Sequence, residues 1–300
     1  MKNQIKTIVL MGSLTALVIG FGALVAPGYL YLFGALALAM NLGAYFFSDR
    51  IVLRMHHARE VTLAEAPDLH AIVEELSAKA DIPKPRVYVM PQAQPNAFAT
   101  GRNPKHGVVA ITEGLIQLLD RRELRGVLAH EIAHIKNRDI LVSSVAAAAA
   151  AVITYVAQAI SFGSLFGGGG QADDEESGNA SGGLLLALVA PLAATLIQLG
   201  ISRSREYLAD ETGARLCDDP DALARALIKL NQAATIIPAH TAPATASLFI
   251  INPFGAMERV ARWFSTHPST EDRVLRLRSL SGRHAQPVRL SRRSALVGEW

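Results

Sequence analysis

Two histidines and a glutamate in one short stretch have the types and spacing of a hydrolytic metal site. The stretch VLAHEIAHIKNRD covers residues 127–139, and within it His130 and His134 are four residues apart. On a helix, this spacing places both imidazoles on one face, one turn apart, where they can take two corners of a tetrahedral zinc site. Glu131 lies about 100° further round the helix, so it can reach a water on the ion and act as a general base.

The alternative is an ordinary amphipathic helix with two partly buried histidines, because an HExxH motif alone is only a hypothesis. Asp120 and Glu123 predict a capping box at the start of the helix. A helical stripe of apolar residues then follows, formed by Leu124, Val127, Leu128 and Ile132. A catalytic zinc also needs a third protein ligand and an open position.

The best candidate for the third ligand lies far along the chain, in the stretch SRSREYLADETGA at 202–214. Glu206 and Asp210 are four residues apart on a predicted helix. Glu206 can ligate zinc, and Asp210 can accept the N–H of a ligating histidine and so fix its tautomer. By themselves, however, two acids on a helix fit a solvated face better.

Taken together, these segments resemble one known family. HEIAHIKNRD followed by SRSREYLAD, with apolar segments between them, is similar to the HtpX-type branch of the M48 membrane metallopeptidases. NAFATG at 96–101 and STHPSTEDR at 265–273 match further family segments, so the resemblance covers nearly the whole chain. It implies a gluzincin with one zinc ion per chain, with Glu206 as third ligand and Glu131 as catalytic base.

The resemblance also indicates where a substrate would bind. Short strands are predicted at 86–90, 97–100 and 108–111, and an edge strand can pair with an extended peptide. The resemblance assigns this role to four residues, Asn96, Ala97, Phe98 and Ala99. The alternative is that they form only a strand and a turn.

Apolar residues make up 50% of the chain, and the mean hydropathy is +0.25. Long runs without Asp, Glu, Lys or Arg predict four transmembrane helices, at about 5–26, 29–47, 140–166 and 184–201. For the first helix the alternative is a cleaved signal peptide. For the last two it is a buried hairpin in a soluble core.

Basic residues flank the predicted spans on one side only, and the two predicted hairpin tips contain no Lys or Arg. The positive-inside rule therefore places both termini and the active site on the cytoplasmic side of a bacterial inner membrane. The net charge of +3 gives no case for nucleic acid. A single cysteine, Cys217, excludes an internal disulfide. The oligomeric state stays open.

The predicted fold is a mainly α (α+β) multipass membrane protein with a zincin-type catalytic domain and a small β-sheet. The predicted divisions are a transmembrane hairpin at 1–48 and a first catalytic part at 49–139. A second hairpin with an acidic loop follows at 140–201, then a second catalytic part at 202–281 and a basic tail at 282–300. Residues 235–265 are predicted to form a moving cover.

Two further histidine sites are open to interpretation. His267, before Pro268, could donate to a developing oxyanion or form a structural turn. His56 and His57 are expected to be solvated at the membrane surface.

The predicted function is a membrane zinc endopeptidase, and the resemblance implies quality control of damaged or unfolded membrane proteins. The alternatives are a dedicated processing peptidase, as in the CAAX-processing relatives of this family, and a zinc-stabilised membrane scaffold without hydrolase activity.

Overall fold

The computed structural model of the chain describes residues 2–150, 203–237, 245, 248–251 and 268–284. Within these residues the protein is mainly helical, with one small mixed sheet. The predicted span at 184–201, the acidic loop, His267 and most of the predicted span at 140–166 lie outside the described residues. The labels below number the described elements in chain order.

The N-terminal part is a pair of helices, α1 (Lys2–Val25) and α2 (Leu30–Met55), joined by a 3-10 turn at Pro27–Tyr29. Among the described residues, Pro27–Met55 is the one helix long and apolar enough to cross a membrane, judged by length and composition. Two shorter apolar helical stretches are Ile5–Gly20 and Ile140–Ala150. The predicted second span therefore has a matching helix, and the four-span arrangement is not confirmed as a whole.

Helix α2 continues to Met55, well past the predicted end of its span at residue 47. The reason is that its last turns pack against the sheet. Val52 and Leu53 are buried in a cluster with the sheet residues Met90 and Phe98. One continuous helix thus connects the apolar region rigidly to the sheet.

A third apolar helix, α6, begins at Ile140 and is described to Ala150. It packs with α1 and α2 in a cluster formed by Leu10, Leu14, Val18, Ala37, Ala44, Val145, Ala146, Ala149 and Ala150. Small side chains dominate the α6 face, which allows close helix packing where lipid-like surroundings give little hydrophobic drive.

The sheet has four strands, β1 (Arg59–Glu60), β2 (Arg86–Met90), β3 (Ala97–Thr100) and β4 (Val108–Thr112). Their order is β1-β2-β4-β3, with β2 and β4 parallel and the other two pairs antiparallel. The three predicted strands are confirmed. Strand β1 was missed, because two exposed residues carry no alternating pattern. Strand β3 lies at the edge of the sheet.

The remaining helices surround the helix that carries the HExxH motif. They are α3 (Pro67–Ala80), α4 (Glu113–Leu118), α5 (Arg121–Lys136), α7 (Arg203–Cys217), α8 (Pro220–Ile236) and α9 (Thr270–His284). Helix α5 packs against α3, α7, α8 and the sheet. Three of these helices have side-chain caps, since Thr112, Asp120 and Asp219 accept main-chain N–H groups at the starts of α4, α5 and α8.

Candidate active site

Helix α5 presents the two histidines of the motif from the centre of the fold. Its capping box forms as predicted, with Asp120 accepting from the Glu123 amide at 2.9 Å and the Glu123 carboxylate accepting from the Asp120 amide at 3.1 Å. His130 is fully buried, and the Nε2 atoms of His130 and His134 lie 3.2 Å apart. The local sequence thus determines where the helix begins, and the helix determines the spacing of His130 and His134.

Helix α7 brings Glu206 to the same point. Its Oε1 atom lies 3.6 Å from His134 Nε2, and its Oε2 atom lies 3.7 Å from His130 Nε2. Gly213 permits this approach, because a Cβ there would lie 2.9 Å from both the Cα and the N of His130. The solvated-face alternative does not hold, since Glu206 and Asp210 are only 6% and 3% exposed.

The three side chains fit a metal ion by their donor set and spacing. One atom from each of His130, His134 and Glu206 can be chosen so that all lie within 4.8 Å of one another. In a tetrahedral zinc site, bonds of about 2.0–2.1 Å place ligand atoms about 3.3 Å apart, close to the separations found here. Two nitrogens and one carboxylate oxygen form the ligand set of a hydrolytic zinc site with an open position.

A carboxylate faces the other nitrogen of each histidine. Asp210 Oδ1 lies 2.9 Å from His130 Nδ1, and Asp139 Oδ2 lies 3.4 Å from His134 Nδ1. A carboxylate there accepts the Nδ1 proton, which leaves Nε2 free as a metal ligand. The sequence predicted this role for Asp210, whereas Asp139 was missed.

Asp139 reaches His134 because α5 ends in a left-handed turn. Arg138 has φ 59°, its amide bonds Ile135 O, and the Asp139 amide bonds His134 O at 3.0 Å. These two bonds are those of a Schellman motif, which turns the chain back over the last helical turn. The residue at the left-handed position is usually glycine, so the sequence signal was weak.

Burial and charge act differently on the two histidines. Burial lowers the pKa of His130 and so favours the neutral imidazole that a metal requires. Burial also lowers the pKa of His134, but Asp139, Glu206 and Glu131 raise it more, to about 9. A cation bound there would have to displace this proton.

Glu131 lies beside the three candidate ligands and is 2% exposed. Burial raises the pKa of its carboxyl to about 7, and this rise is opposed by His134, by Arg273 and by a hydrogen bond from the Ala99 amide. A carboxylate with a pKa near neutrality suits a general base.

Arg273 on α9 is a buried site residue that the sequence reasoning did not single out. Its guanidinium donates to both carboxylate oxygens of Asp210, at 2.7 and 2.8 Å, and Nη1 donates to Ile250 O at 2.8 Å. Nη1 also lies 3.8 Å from Glu206 Oε2. The only available signal was its place in the family-like stretch at 265–273, because burial of a charge cannot be inferred from a helical pattern.

The predicted substrate residues lie next to this site. Ala97, Phe98 and Ala99 are buried in strand β3, and the Ala99 amide points at Glu131. Asn96 is also buried, and its side chain donates to Ile251 O at 3.1 Å. Strand β3 therefore lies beside the motif helix, and the substrate-binding role of its residues stays a prediction. His267 lies outside the described residues.

The expected solvation of His56 was wrong. Its ring is 2% exposed and packs against Phe98 and Phe249, with centroids 5.6 and 5.1 Å away. Its Nε2 atom bonds Thr245 Oγ1 at 3.0 Å, and its Nδ1 atom faces Gln92 Nε2 at 3.2 Å. The prediction failed because a basic stretch next to an apolar span looks solvated, whereas the end of α2 packs on the sheet and places His56 against Phe98 and Phe249.

The site combines an HExxH helix, a buried glutamate from a second helix and an adjacent edge strand. These features define the class of metallopeptidases. The profile described as peptidase family M48 matches residues 63–281. The chain belongs to this family and is a membrane metalloprotease, hence a hydrolase.

Similar proteins agree over most of the chain. It is 53% identical over 283 residues to a protein named protease HtpX homolog from Syntrophobacter fumaroxidans, covering 93% of this chain and 100% of that protein. A protein of the same name from Pelotomaculum thermopropionicum is 51% identical over 280 residues, covering 93% and 99%. The crystal structure of S. mikatae Ste24p aligns with a TM-score of 0.48 at 20% identity, covering 92% of this chain and 65% of that one.

Proposed function

We propose that the protein is a zinc-dependent endopeptidase, with one zinc ion per chain held by His130, His134 and Glu206. The observation that carries this proposal is the close approach of ligand atoms from two helices. The Nε2 atoms of His130 and His134 lie 3.2 Å apart, Glu206 Oε1 lies 3.6 Å from His134 Nε2, and Glu206 Oε2 lies 3.7 Å from His130 Nε2. Nitrogen and carboxylate donors around an open position favour zinc over harder cations such as Mg²⁺.

In the proposed reaction, bound zinc would supply a Lewis acid that polarises the peptide carbonyl and activates water. Glu131 takes the proton of the attacking water and later returns a proton to the leaving amine. Its buried carboxyl, held by the Ala99 amide, is suited to both steps because its pKa lies near neutrality.

Three side chains support these groups in the proposal. Asp210 holds the Nδ1–H of His130 and Asp139 holds that of His134, so that both Nε2 atoms face the metal. Arg273 fixes Asp210 through two hydrogen bonds. For His267 both predicted roles are kept, a donor to the developing oxyanion or a structural turn before Pro268.

The proposed substrate is an extended, unfolded peptide segment that pairs with the outer edge of β3 at Asn96, Ala97, Phe98 and Ala99. Main-chain pairing gives affinity with little demand on sequence, which suits the removal of many different damaged chains. The HtpX name of the relatives is consistent with quality control of misfolded membrane proteins.

The proposed setting is the inner, or cytoplasmic, membrane, with four spans and with both termini and the active site on the cytoplasmic side. Supporting this, α2 is one candidate span and its last turns pack directly on the sheet. The five predicted divisions, 1–48, 49–139, 140–201, 202–281 and 282–300, are kept as the proposed organisation. Basic residues at the predicted span ends support this orientation.

The test compares detergent-purified wild type with Glu131→Gln, measuring bound zinc and the cleavage of unfolded casein. We expect zinc near one per chain in both proteins and cleavage in the wild type alone. Glu211→Gln, at a partly exposed acid on the same helix as Glu206, is the matched control and should retain both properties. Absence of zinc from wild type purified without chelator would contradict the ligand set, and cleavage by Glu131→Gln would contradict the assigned base.

A further inference from the structure

The main-chain groups of β3 alternate between the sheet and its open side. Asn96 O accepts from the Thr112 amide at 3.0 Å, so this residue faces β4. Ala97 O accepts from the Ile250 amide at 3.1 Å, and the Ala99 amide bonds Glu131. Ala97 and Ala99 therefore direct their main-chain groups to the outer edge, where an added strand would pair.

A short segment already lies on this outer edge. We call Thr245 and Leu248–Ile251 the strap; all five of its residues are buried. Besides the Ile250 amide on Ala97 O, Ile251 O accepts from the Asn96 side chain at 3.1 Å, and Ile250 O accepts from Arg273 at 2.8 Å. The strap thus occupies the outward-facing acceptor of Ala97, two residues from Ala99, whose amide bonds the candidate catalytic base.

The other side of the strap contacts the end of helix α2. Phe249 packs edge-on against Phe98, with centroids 5.6 Å apart, and edge-on against His56, with centroids 5.1 Å apart. His56 follows directly on α2, and its Nε2 atom bonds the Thr245 hydroxyl at 3.0 Å. The strap is therefore tied both to α2 and to the substrate strand.

We propose that the strap is an autoinhibitory element that occupies the substrate-binding edge of β3, and that His56 latches it to helix α2. This inference rests on the proposed function, because it assumes that substrate pairs with β3. A substrate strand and the Ile250 amide compete for the same in-plane position on Ala97 O. Binding of an extended chain requires the strap to leave this edge.

The alternative is that the strap stays on β3 when substrate binds, like a permanent wall of the site. In that case the strap would form the outer edge of the sheet, and substrate would pair with its far side. The two arrangements differ in what happens to the strap when substrate binds. Displacement exposes its amides to solvent, whereas a wall becomes more protected.

Hydrogen exchange in the full-length Glu131→Gln protein distinguishes these outcomes. The zinc-loaded protein is compared with and without unfolded casein, which it binds but does not cleave. We expect exchange in peptides covering 245–251 to rise at least about fivefold on binding, while β3 peptides at 97–100 become more protected. Unchanged or slower exchange of the strap, together with added protection elsewhere at the site, would overturn the proposal.

Kinetics of strap variants give an independent test. Phe249→Ala removes the aromatic packing on Phe98 and His56, so we expect KM for casein to fall about threefold to tenfold with little change in kcat. Thr245→Val removes only the hydroxyl that bonds His56 and should shift KM in the same direction by less. Leu275→Ala, at a residue 67% exposed on α9, is the control and should change neither constant.

The strap is excluded as an inhibitor if both strap variants raise KM or leave it unchanged while their zinc content and melting temperature match the wild type. Thr245→Val keeps the test decisive even if Phe249→Ala fails to fold. Failure of the proposed function looks different, since the wild type itself would then lack zinc or casein cleavage. If the wild type binds zinc and cleaves casein but the strap does not leave β3 on substrate binding, only the autoinhibitory role of the strap is refuted.

Discussion

Gly213 on α7 lies against the backbone of His130 on α5, so closely that a Cβ on the glycine would be 2.9 Å from the His130 N and Cα atoms. Glu206 and Asp210 are on the same helix as this glycine. The contact therefore sets the distance at which both acids face the histidine. A helix interior normally disfavours glycine, so close approach explains its presence here.

Gly213→Ala should separate α7 from α5 and weaken the metal site. We expect the free energy of unfolding to fall by about 1–3 kcal/mol, because backbone atoms cannot yield as a flexible side chain would. Zinc affinity should fall as well, as measured by competition with a chromogenic chelator. Gly34→Ala on α2 has open space and should be neutral or stabilising by about 0.5–1 kcal/mol. Equal effects of both changes would contradict the close-contact argument.

The Arg273–Asp210 pair should be worth far more to stability than a surface pair of the same types. Arg273→Gln leaves Asp210 charged and buried without its partner, so we expect a loss of about 3–5 kcal/mol in chemical denaturation. Arg122→Gln removes an exposed guanidinium from a pair with the partly buried Asp219 and should cost about 1 kcal/mol. Similar losses for the two variants would show that Arg273 is not electrostatically coupled to the site.

Asp139 should matter for metal binding more than for folding. Asp139→Asn weakens the hold on His134 Nδ1, so we expect zinc affinity to fall about 10–100-fold. Asp68→Asn is the matched control, because this carboxylate is exposed at the start of α3. Chelator competition measures both variants. Unaltered zinc affinity in Asp139→Asn would show that this residue does not contribute to metal binding.

His56 should make stability fall with acid. Burial lowers its pKa from 6.5 to about 4, with the neighbouring His57 charge adding to the effect. Between these values the unfolded chain binds more protons than the folded one, so stability rises with pH. Acidification from about pH 6.5 to 4 should therefore cost on the order of 3 kcal/mol.

His56→Phe keeps an aromatic ring in the cluster and removes this titration. Denaturant unfolding of both proteins, with chelator present so that metal loss does not contribute, measures the difference at each pH. As the pH falls from about 6.5 to 4, the free energy of unfolding of the variant should rise steadily relative to that of the wild type. A constant difference from pH 7 to 4 would mean that His56 does not carry the effect.

The elements near the site follow from local sequence because their signals are local. Helix α5 has its capping box and apolar stripe within one stretch, and HExxH spacing alone puts His130 and His134 on one face. The strands predicted at 86–90, 97–100 and 108–111 are bounded by turn residues and form, the last of them with one further residue. Side-chain types and short-range periodicity contain this information, so no tertiary contact is needed to obtain it.

The exact ends of elements were less well predicted where packing decides them. Helix α2 runs to Met55 because its last turns bury Val52 and Leu53 on the sheet, which the span length did not indicate. A hydropathy pattern measures affinity for lipid and cannot distinguish lipid from a protein core.

The sequence by itself determined the motif helix, the candidate ligand residues and the family, since residue identity and spacing carry these directly. Tertiary structure decided which distant charges and rings meet: Arg273 beside Asp210 at the buried site, and His56 beneath the strap. Burial turns these side chains from solvated surface groups into partners, and it depends on how helices far apart in the chain pack together. No local pattern encodes that packing.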